Sequence, residues 1–374
     1  MKYFDNLLNI KLKDIGTSFI REIYYEIDWD SRMIAILGAS GVGKTTLVLQ
    51  HIKMNHGKNS VLFVPADHLS FSHNHLYDIA ATFYKNGGKH LIVDEIHKYP
   101  SGIDELQLIY DHFPRLQVIF IGSSILDTGK LNKIEKKQIY GLSFREYLNY
   151  TKGLKMPIYS LDRILKNRVE LLGDYPYPLP LFKQYIESGY YLFSKKSYEL
   201  HMLDCVRNTT ESDIPVYRRM NISTIQKIKQ LLYLIFCDAP FKPSYTDLAQ
   251  IIDVHRNQIV SFLDDLEKTG LIIQLRNNKG RVVKIWPANT NIAGVTGNTL
   301  QKPCMIPETF FLSQMMINHN ICSMKTGLSI GEYSFIIDSP KKKQENLPMT
   351  FQVESNIDFG YQNTIPLWAF GFNY

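Results

Sequence analysis

The chain has 374 residues, enough for two or three domains that each bury a core. Its 45% hydrophobic and 21% charged residues exclude wholesale disorder and a fibrous repeat. A net charge of +6, from 42 Lys+Arg against 36 Asp+Glu, is too mild to announce nucleic acid and leaves that partner open. The cysteines Cys205, Cys237, Cys304 and Cys322 form no C-x-x-C pair, as expected of free thiols in a reducing cytoplasm. The opening MKYFDNLLNIKLKDIG interrupts its apolar residues with charges, unlike a signal peptide, and no apolar run approaches the ~20 residues that span a bilayer. A cytoplasmic protein with no membrane partner is expected.

Up to about residue 150, short β-branched runs alternate with helical stretches, the pattern of an α/β unit with a parallel sheet. Strands are predicted over 33–37, 61–64, 91–94 and 118–121, each nearly all apolar and so suited to burial on both faces. From about 160 to 200 the pattern turns helical. There Leu161, Ile164, Leu165, Val169 and Leu172 recur at three- and four-residue steps before a break at Gly173-Asp174-Tyr175-Pro176.

A helix over 225–236 is followed by a break at Pro240 and Pro243 and a helix capped by Ser244 or Thr246. A corner at Asp253-Val254 leads into a second helix with Ile259, Leu263 and Leu266 inward, ending at Gly270. Runs over 271–275 and 281–286 flank a polar turn as a β-hairpin, so the unit reads as a winged helix. Residues 289–299 read as a linker, and 303–374 as one helix (308–317) with short strands interrupted by Lys341-Lys342-Lys343.

Gly38-Ala39-Ser40-Gly41-Val42-Gly43-Lys44-Thr45 matches the G-x-x-x-x-G-K-[ST] phosphate loop, placed after the first strand and before a helix over 46–54. Its glycines let backbone N–H groups converge on phosphates, and the helix N-terminus adds partial positive charge. Nucleotide contacts are expected from Gly38, Ser40, Gly41, Val42, Gly43, Lys44, Thr45 and Thr46. Lys44 would reach the β- and γ-phosphates, while the Thr45 hydroxyl would bind Mg²⁺.

His90-Leu91-Ile92-Val93-Asp94-Glu95 is an apolar strand ending in two carboxylates and looks like a Walker B strand. Asp94 would hold Mg²⁺ through water and Glu95 would polarise the attacking water, since phosphoryl transfer is catalysed mainly by positioning and charge neutralisation. The 118–121 strand ends in Gly122-Ser123-Ser124, which makes Ser123 or Ser124 a candidate γ-phosphate sensor; Ser123 joins Lys44 and Glu95 in the expected catalytic set. His97 and Lys98 are expected on a solvated loop.

GASGVGKTTL, FYKNGGKHLIVDEIHKYP, IFIGSSILD and GLSFREYL resemble the bacterial AAA-type ATPases, relatives of the signal-transduction NTPases that carry a C-terminal nuclease-like domain. The resemblance runs from about Phe19 to Tyr374. It implies that Gly173 and Pro176 stand in for a Gly-x-Pro type motif, one residue longer here, whose proline leans on the nucleotide in a helical lid. Where the family has paired arginines this chain offers Lys136 and Lys137, which cannot make a bidentate fork to phosphate, leaving Arg115 and Arg145 as arginine-finger candidates.

The resemblance also implies a restriction-endonuclease-like fold at the C-terminus. Gln352 stands where its glutamate is expected and Asn356 where its lysine is expected, while Glu308, Glu332 and Glu354 survive. An amide is a poor Mg²⁺ ligand and no base, so the nuclease is expected to be inactive. In the winged helix, His255, Arg256, Asn257 and Gln258 are types that read bases or phosphates from a helix N-terminus, whereas Asp264, Asp265 and Glu267 would face away from DNA or repel it.

The expected fold is therefore an α/β P-loop NTPase parallel sheet (1–153) with a helical lid (154–222), then a winged helix (223–288) and a small α+β nuclease-like domain (300–374). The expected function is ATP binding and Mg²⁺-dependent hydrolysis in a switch that couples nucleotide state to domain arrangement, with a protein partner or a second copy reading the outcome. A non-hydrolysing DNA-binding regulator is the alternative, and an ATP-regulated DNA nuclease would require a lysine that the sequence does not offer.

Overall fold

The structure, a computed structural model, describes residues 2–55, 60–167, 169, 177–240, 242–294, 305–324, 326–338 and 349–374. Leu172, Gly173, Pro176, Cys304 and the basic run 341–343 lie outside the described residues. The chain divides into two compact units: Met1–Tyr140 with Cys205–Ile225, and Gly141–Asp204 with Gln226–Tyr374.

In chain order, α1 (Lys2–Asp14) precedes β1 (Met33–Gly38), α2 (Lys44–Asn55), β2 (Val61–Pro65), α3 (Leu76–Lys85), β3 (His90–Asp94), α4 (Gly102–His112), β4 (Gln117–Gly122) and β5 (Glu135–Ile139). Helices then follow: α5 (Phe144–Lys152), α6 (Leu161–Leu165), α7 (Leu179–Ser188), α8 (Tyr198–Asn208), α9 (Ile214–Arg218) and α10 (Ile222–Asp238). The remainder comprises α11 (Tyr245–Ile251), α12 (Arg256–Lys268), β6 (Ile272–Arg276), β7 (Val282–Pro287), α13 (Thr290–Ala293) and α14 (Met305–Met315). It closes with β8 (Ile321–Ser323), β9 (Leu328–Ile330), β10 (Tyr333–Ile337), β11 (Thr350–Glu354) and β12 (Thr364–Pro366).

The first unit is built on an all-parallel sheet of order β2-β3-β4-β1-β5. β1 to β4 are apolar runs buried along nearly their whole length, as expected of strands with helices on both faces. Their core joins Met33, Leu37, Leu62, Leu91, Val118 and Phe120 to Leu76 and Phe83 of α3 and Leu106 and Ile109 of α4. β5 was absent from the sequence expectation because Glu-Lys-Lys-Gln-Ile has no apolar alternation. It pairs with β1 from Ile34↔Glu135 to Gly38↔Ile139, and its charges suit an edge, where lysines discourage further pairing.

In the second unit a seven-stranded mixed sheet runs β12-β11-β10-β9-β8-β6-β7. α10 to α12 and the antiparallel β6–β7 hairpin follow the expected order, with Asp253 at φ 52° at the corner between α11 and α12. The residues expected to form a linker instead include α13, whose four residues are all buried. Asn289 caps it, and Asn291 accepts hydrogen bonds from the Tyr190 N–H and the Tyr198 hydroxyl. Polar composition read as a loop because the partners of these amides lie about a hundred residues earlier.

The core of this unit is aromatic. Phe182 packs edge-on against Phe310 at 4.8 Å, and Phe311 against Phe370 at the same distance. Tyr185 lies among them, donating from its hydroxyl to the Leu142 carbonyl at 2.6 Å and accepting from Gln314 Nε2 at 3.1 Å. Burial pushes this hydroxyl well above the usual tyrosine range, so it stays a neutral donor. Tyr185→Phe should cost about 1–3 kcal/mol, the penalty of leaving a buried carbonyl and amide unpaired, and urea unfolding of the full chain measures it.

Candidate functional site

In the parallel sheet the C-terminal ends of β1, β3 and β4 lie at one edge, where α/β folds hold ligands. β1 delivers Gly38 to that edge. A Cβ there would fall 2.4 Å from the Ile139 carbonyl oxygen, so the close approach of β5 admits only glycine. Gly41 and Gly43 take φ 81° and 93°, which curl the loop back over the start of α2, and Val42 is buried beneath it. Arg21 braces the loop from outside, its Nη1 donating to the Val42 carbonyl at 3.2 Å and the Tyr140 carbonyl at 2.7 Å. Ser40 is half-buried and Thr46 exposed at the helix start.

Lys44 opens α2 and is buried, with Nζ donating to the carbonyls of Gly38 at 2.9 Å and Ala39 at 2.7 Å. Burial lowers its pKa from the ordinary lysine value, while Glu95, Asp213 and Asp94 oppose that shift. Thr45 Oγ1 donates to the Asp94 carboxylate, 3.1 Å from Oδ1 and 3.2 Å from Oδ2. Burial first and the Glu95 charge second push Asp94 up to about 6. A hydroxyl and a carboxylate meeting between the loop and the strand end are the oxygen ligands that Mg²⁺ takes beside a triphosphate.

Glu95 follows with φ 56°, a left-handed conformation unusual for a glutamate and of the kind that gathers at functional sites. Its Oε2 lies 3.0 Å from Lys98 Nζ and 3.7 Å from His97 Nε2. Burial pushes Glu95 up, but the donors that face it, from His97, Lys98 and Lys44, outweigh that and hold the carboxyl below its usual range. His97 and Lys98 therefore do not sit on a solvated loop. His97 is 4% exposed, because the turn Ile96–Lys98 buries Ile96 and folds the imidazole inward, and Lys98 is engaged with Glu95.

His97 Nδ1 accepts from the Ser123 N–H at 3.1 Å, while Nε2 lies 3.1 Å from Asp213 Oδ1. Ser123 is thus tied by its backbone to the Glu95 turn, while Ser124 Oγ accepts from Gln138 Nε2 at 2.9 Å. The roles of Arg21, His97 and Asp213 were missed in the sequence, where no motif marks them.

Neither arginine-finger candidate reaches outward from this site. Arg145 is buried in the second unit, donating to the carbonyls of Tyr374 and Met156. Arg115 precedes β4, at the strand end opposite to Gly122, and faces Tyr84. Lys136 and Lys137 lie in β5. In the C-terminal region Glu308 accepts from Trp286 Nε1 at 3.1 Å, and burial lifts its carboxyl above the usual range. Gln352 pairs with Ile336 across β10 and β11, Glu354 ends β11, and Glu332 and Asn356 are exposed. Among the described residues these carboxylates form no cluster with metal-ligand spacing.

A parallel sheet with a phosphate loop after β1 and paired carboxylates after β3 defines a P-loop NTPase fold. Residues 30–148 match the family model described as an AAA domain, and this part of the chain is a nucleotide-binding AAA-type P-loop domain. An uncharacterized protein of Methanocaldococcus jannaschii is 26% identical over 276 residues; the match takes in 67% of this chain and spans 58% of that relative. Among solved structures, a signal-transduction ATPase with a tetratricopeptide repeat sensor from Pyrococcus horikoshii is similar at 15% identity and TM-score 0.28, over 76% of this chain and 42% of its own. Aquifex aeolicus DnaA bound to AMPPCP is similar at 15% identity and TM-score 0.23, over 70% and 86%. Among the described residues no helix is long and apolar enough to cross a membrane.

The raised Asp94 carboxyl links the site to stability. Between 3.8, its ordinary value, and about 6, the folded protein holds a proton that the unfolded chain has released. The associated stability is complete below pH 3.8 and is lost as pH rises through about 6. Asp94→Asn, which keeps an acceptor for Thr45, should therefore stabilise the nucleotide-free protein by about 2 kcal/mol at pH 7.5 and leave it nearly unchanged at pH 4. Melting curves at the two pH values check this.

Proposed function

We propose that the protein is a Mg²⁺-dependent ATPase acting as a switch, in which bound ATP holds one arrangement of its domains and hydrolysis releases another. The observation that carries this reading is the juxtaposition of Thr45 and Asp94 beside a conformationally strained Glu95 that is held anionic. In the reading, Lys44 and the loop N–H groups bind the β- and γ-phosphates. Thr45 and Asp94 would hold Mg²⁺, which would supply charge neutralisation to the phosphates. Glu95 accepts the proton of the attacking water, and Ser123 at the β4 tip responds to the γ-phosphate. The family resemblance implies a lid contact for Pro176, which lies outside the described residues.

The charge pattern of α12 favours a second activity, DNA contact by a winged helix formed of α10 to α12 and the β6–β7 hairpin. The acids expected to repel DNA are occupied. Asp265 is fully buried, and Glu267 accepts from Arg276 at 2.7 Å and from Gln274, which also donates to Asp264. His255 to Gln258 at the start of α12 are exposed, as are Lys279 and Arg281 in the hairpin turn.

Lys44→Ala should abolish nucleotide binding, while Glu95→Gln should keep binding and lose about 10²–10⁴-fold in turnover. Fluorescent-nucleotide titration beside phosphate release reads both, and parental hydrolysis by Glu95→Gln would remove the base assignment. For the second activity, duplex affinity should fall with salt, and Arg281→Ala should reduce the logarithmic slope by about 1. Fluorescence anisotropy across a salt series decides, and no binding at low salt assigns this region to protein docking.

A further inference from the structure

Asp213 lies far along the chain from His97 and belongs to no sequence motif, yet its carboxylate is nearer to the His97 imidazole than that of Glu95. It ends a π-helical turn, Thr209–Asp213, in which Thr209, Thr210 and Asp213 are all buried. Such turns are rare and recur at functional sites. Asp213 is also among the acids that oppose the lowering of the Lys44 pKa by burial.

The tautomer of His97 follows from its partners. Nδ1 accepts from the Ser123 N–H, so the lone pair is on Nδ1 and the neutral ring carries its proton on Nε2. That N–H faces two carboxylates, Asp213 at 3.1 Å and Glu95 at 3.7 Å. His97 Nε2 and Asp213 Oδ1 are each more than nine-tenths buried, and neither makes a well-aligned hydrogen bond. A single donor thus stands between two acceptors, committed to neither.

We propose that His97 and Asp213 are positioning residues for Glu95: Asp213 draws the Nε2–H of His97 away from the Glu95 carboxylate, which, held at Oε2 by Lys98, keeps lone pairs for the attacking water. His97 links this choice to the β4 tip through Ser123. The inference rests on reading Glu95 as the group that accepts the water proton. With Asp213 removed, the carboxylate left in front of Nε2 among the described residues is Glu95. The imidazole then takes up a Glu95 lone pair and turns the side chain, a misplacement that costs up to about a hundredfold in rate.

The same three side chains bring ligand atoms within 4.8 Å of one another, which invites a metal-site reading. The tautomer opposes it. A protonated Nε2 has no lone pair for a metal, and moving its proton to Nδ1 would set two N–H groups against each other at Ser123.

The test uses full-length Asp213→Ala and Asp213→Asn. Asp213→Ala should lower kcat about ten- to a hundredfold without loss of nucleotide affinity, and Asp213→Asn, which still offers an acceptor to Nε2–H, should recover at least half of the loss on a logarithmic scale. Nitrogen NMR of histidine-labelled, nucleotide-free protein should show His97 protonated on Nε2 and bare on Nδ1, its signal assigned by absence in His97→Gln. Equal losses in the two Asp213 variants, a loss confined to nucleotide affinity, or a proton on Nδ1 would each overturn the proposal. So would stoichiometric Zn²⁺ binding, measured with the metal alone, that disappears in His97→Gln. If the parent chain itself does not turn over ATP, the hydrolase reading fails, whereas the histidine spectrum still reports on the positioning. If Asp213→Ala does not fold, Asp213→Asn and that spectrum decide.

Discussion

A lysine ammonium buried at Lys44 sets the terms for the first unit. Taking such a charge out of water costs several kcal/mol unless it is paired and hydrogen-bonded. Two loop carbonyls satisfy Nζ directly, and the carboxylates of Asp94, Glu95 and Asp213 supply the opposing charge. Those acids in turn repel one another, which is visible in Asp94, where Glu95 reinforces the effect of burial. The site therefore holds three acids and two lysines in a balance that neither sign wins outright. In the proposed reading a triphosphate with its Mg²⁺ would fit such a balance, with Asp94 on the metal side and Lys44 on the phosphate side.

The sheet makes this concentration of charge tolerable. β1, β3 and β4 are apolar and buried on both faces, so their ends are positioned by packing and are insensitive to the charges they carry. Glu95 can then be held at a positive φ by its surroundings, with the turn beyond it anchored by Ile96. The order β2-β3-β4-β1-β5 places β4 between the loop strand and the carboxylate strand, so the Ser123 backbone comes to lie beside the turn that follows Glu95. Asp94→Asn probes this balance directly, because it removes one charge and leaves the packing alone.

What was legible in the sequence was what is local. Four apolar strands, the phosphate loop, the carboxylates after β3, the capped helix at Ser244 and the hairpin after α12 were all marked by short-range patterns of hydrophobicity, glycine or capping. β5 was not, since a charged edge strand has no periodicity of its own and exists because β1 offers it a ladder. α13 is just as hard to see in the stretch 289–299, its asparagines being polar in composition but buried against Tyr190 and Tyr198. Arg145 looked available to a neighbour and is instead spent on two carbonyls within its own unit.

His97 is the sharpest case of this kind. In Ile-His-Lys-Tyr-Pro the polar residues read as a surface loop, whereas the turn folds the imidazole inward and a segment over a hundred residues away brings an acid against it. The segment Cys205–Ile225 returns to the first unit after the chain has passed through 141–204 of the second. The phosphate loop and the carboxylate strand come from the contiguous first part of the chain, but the acid that faces His97 does not. A fragment ending at Tyr140 would retain the motifs by which the domain is recognised and lack Asp213. Motif and site thus differ in extent, and the difference is the long-range contact that residue patterns do not encode.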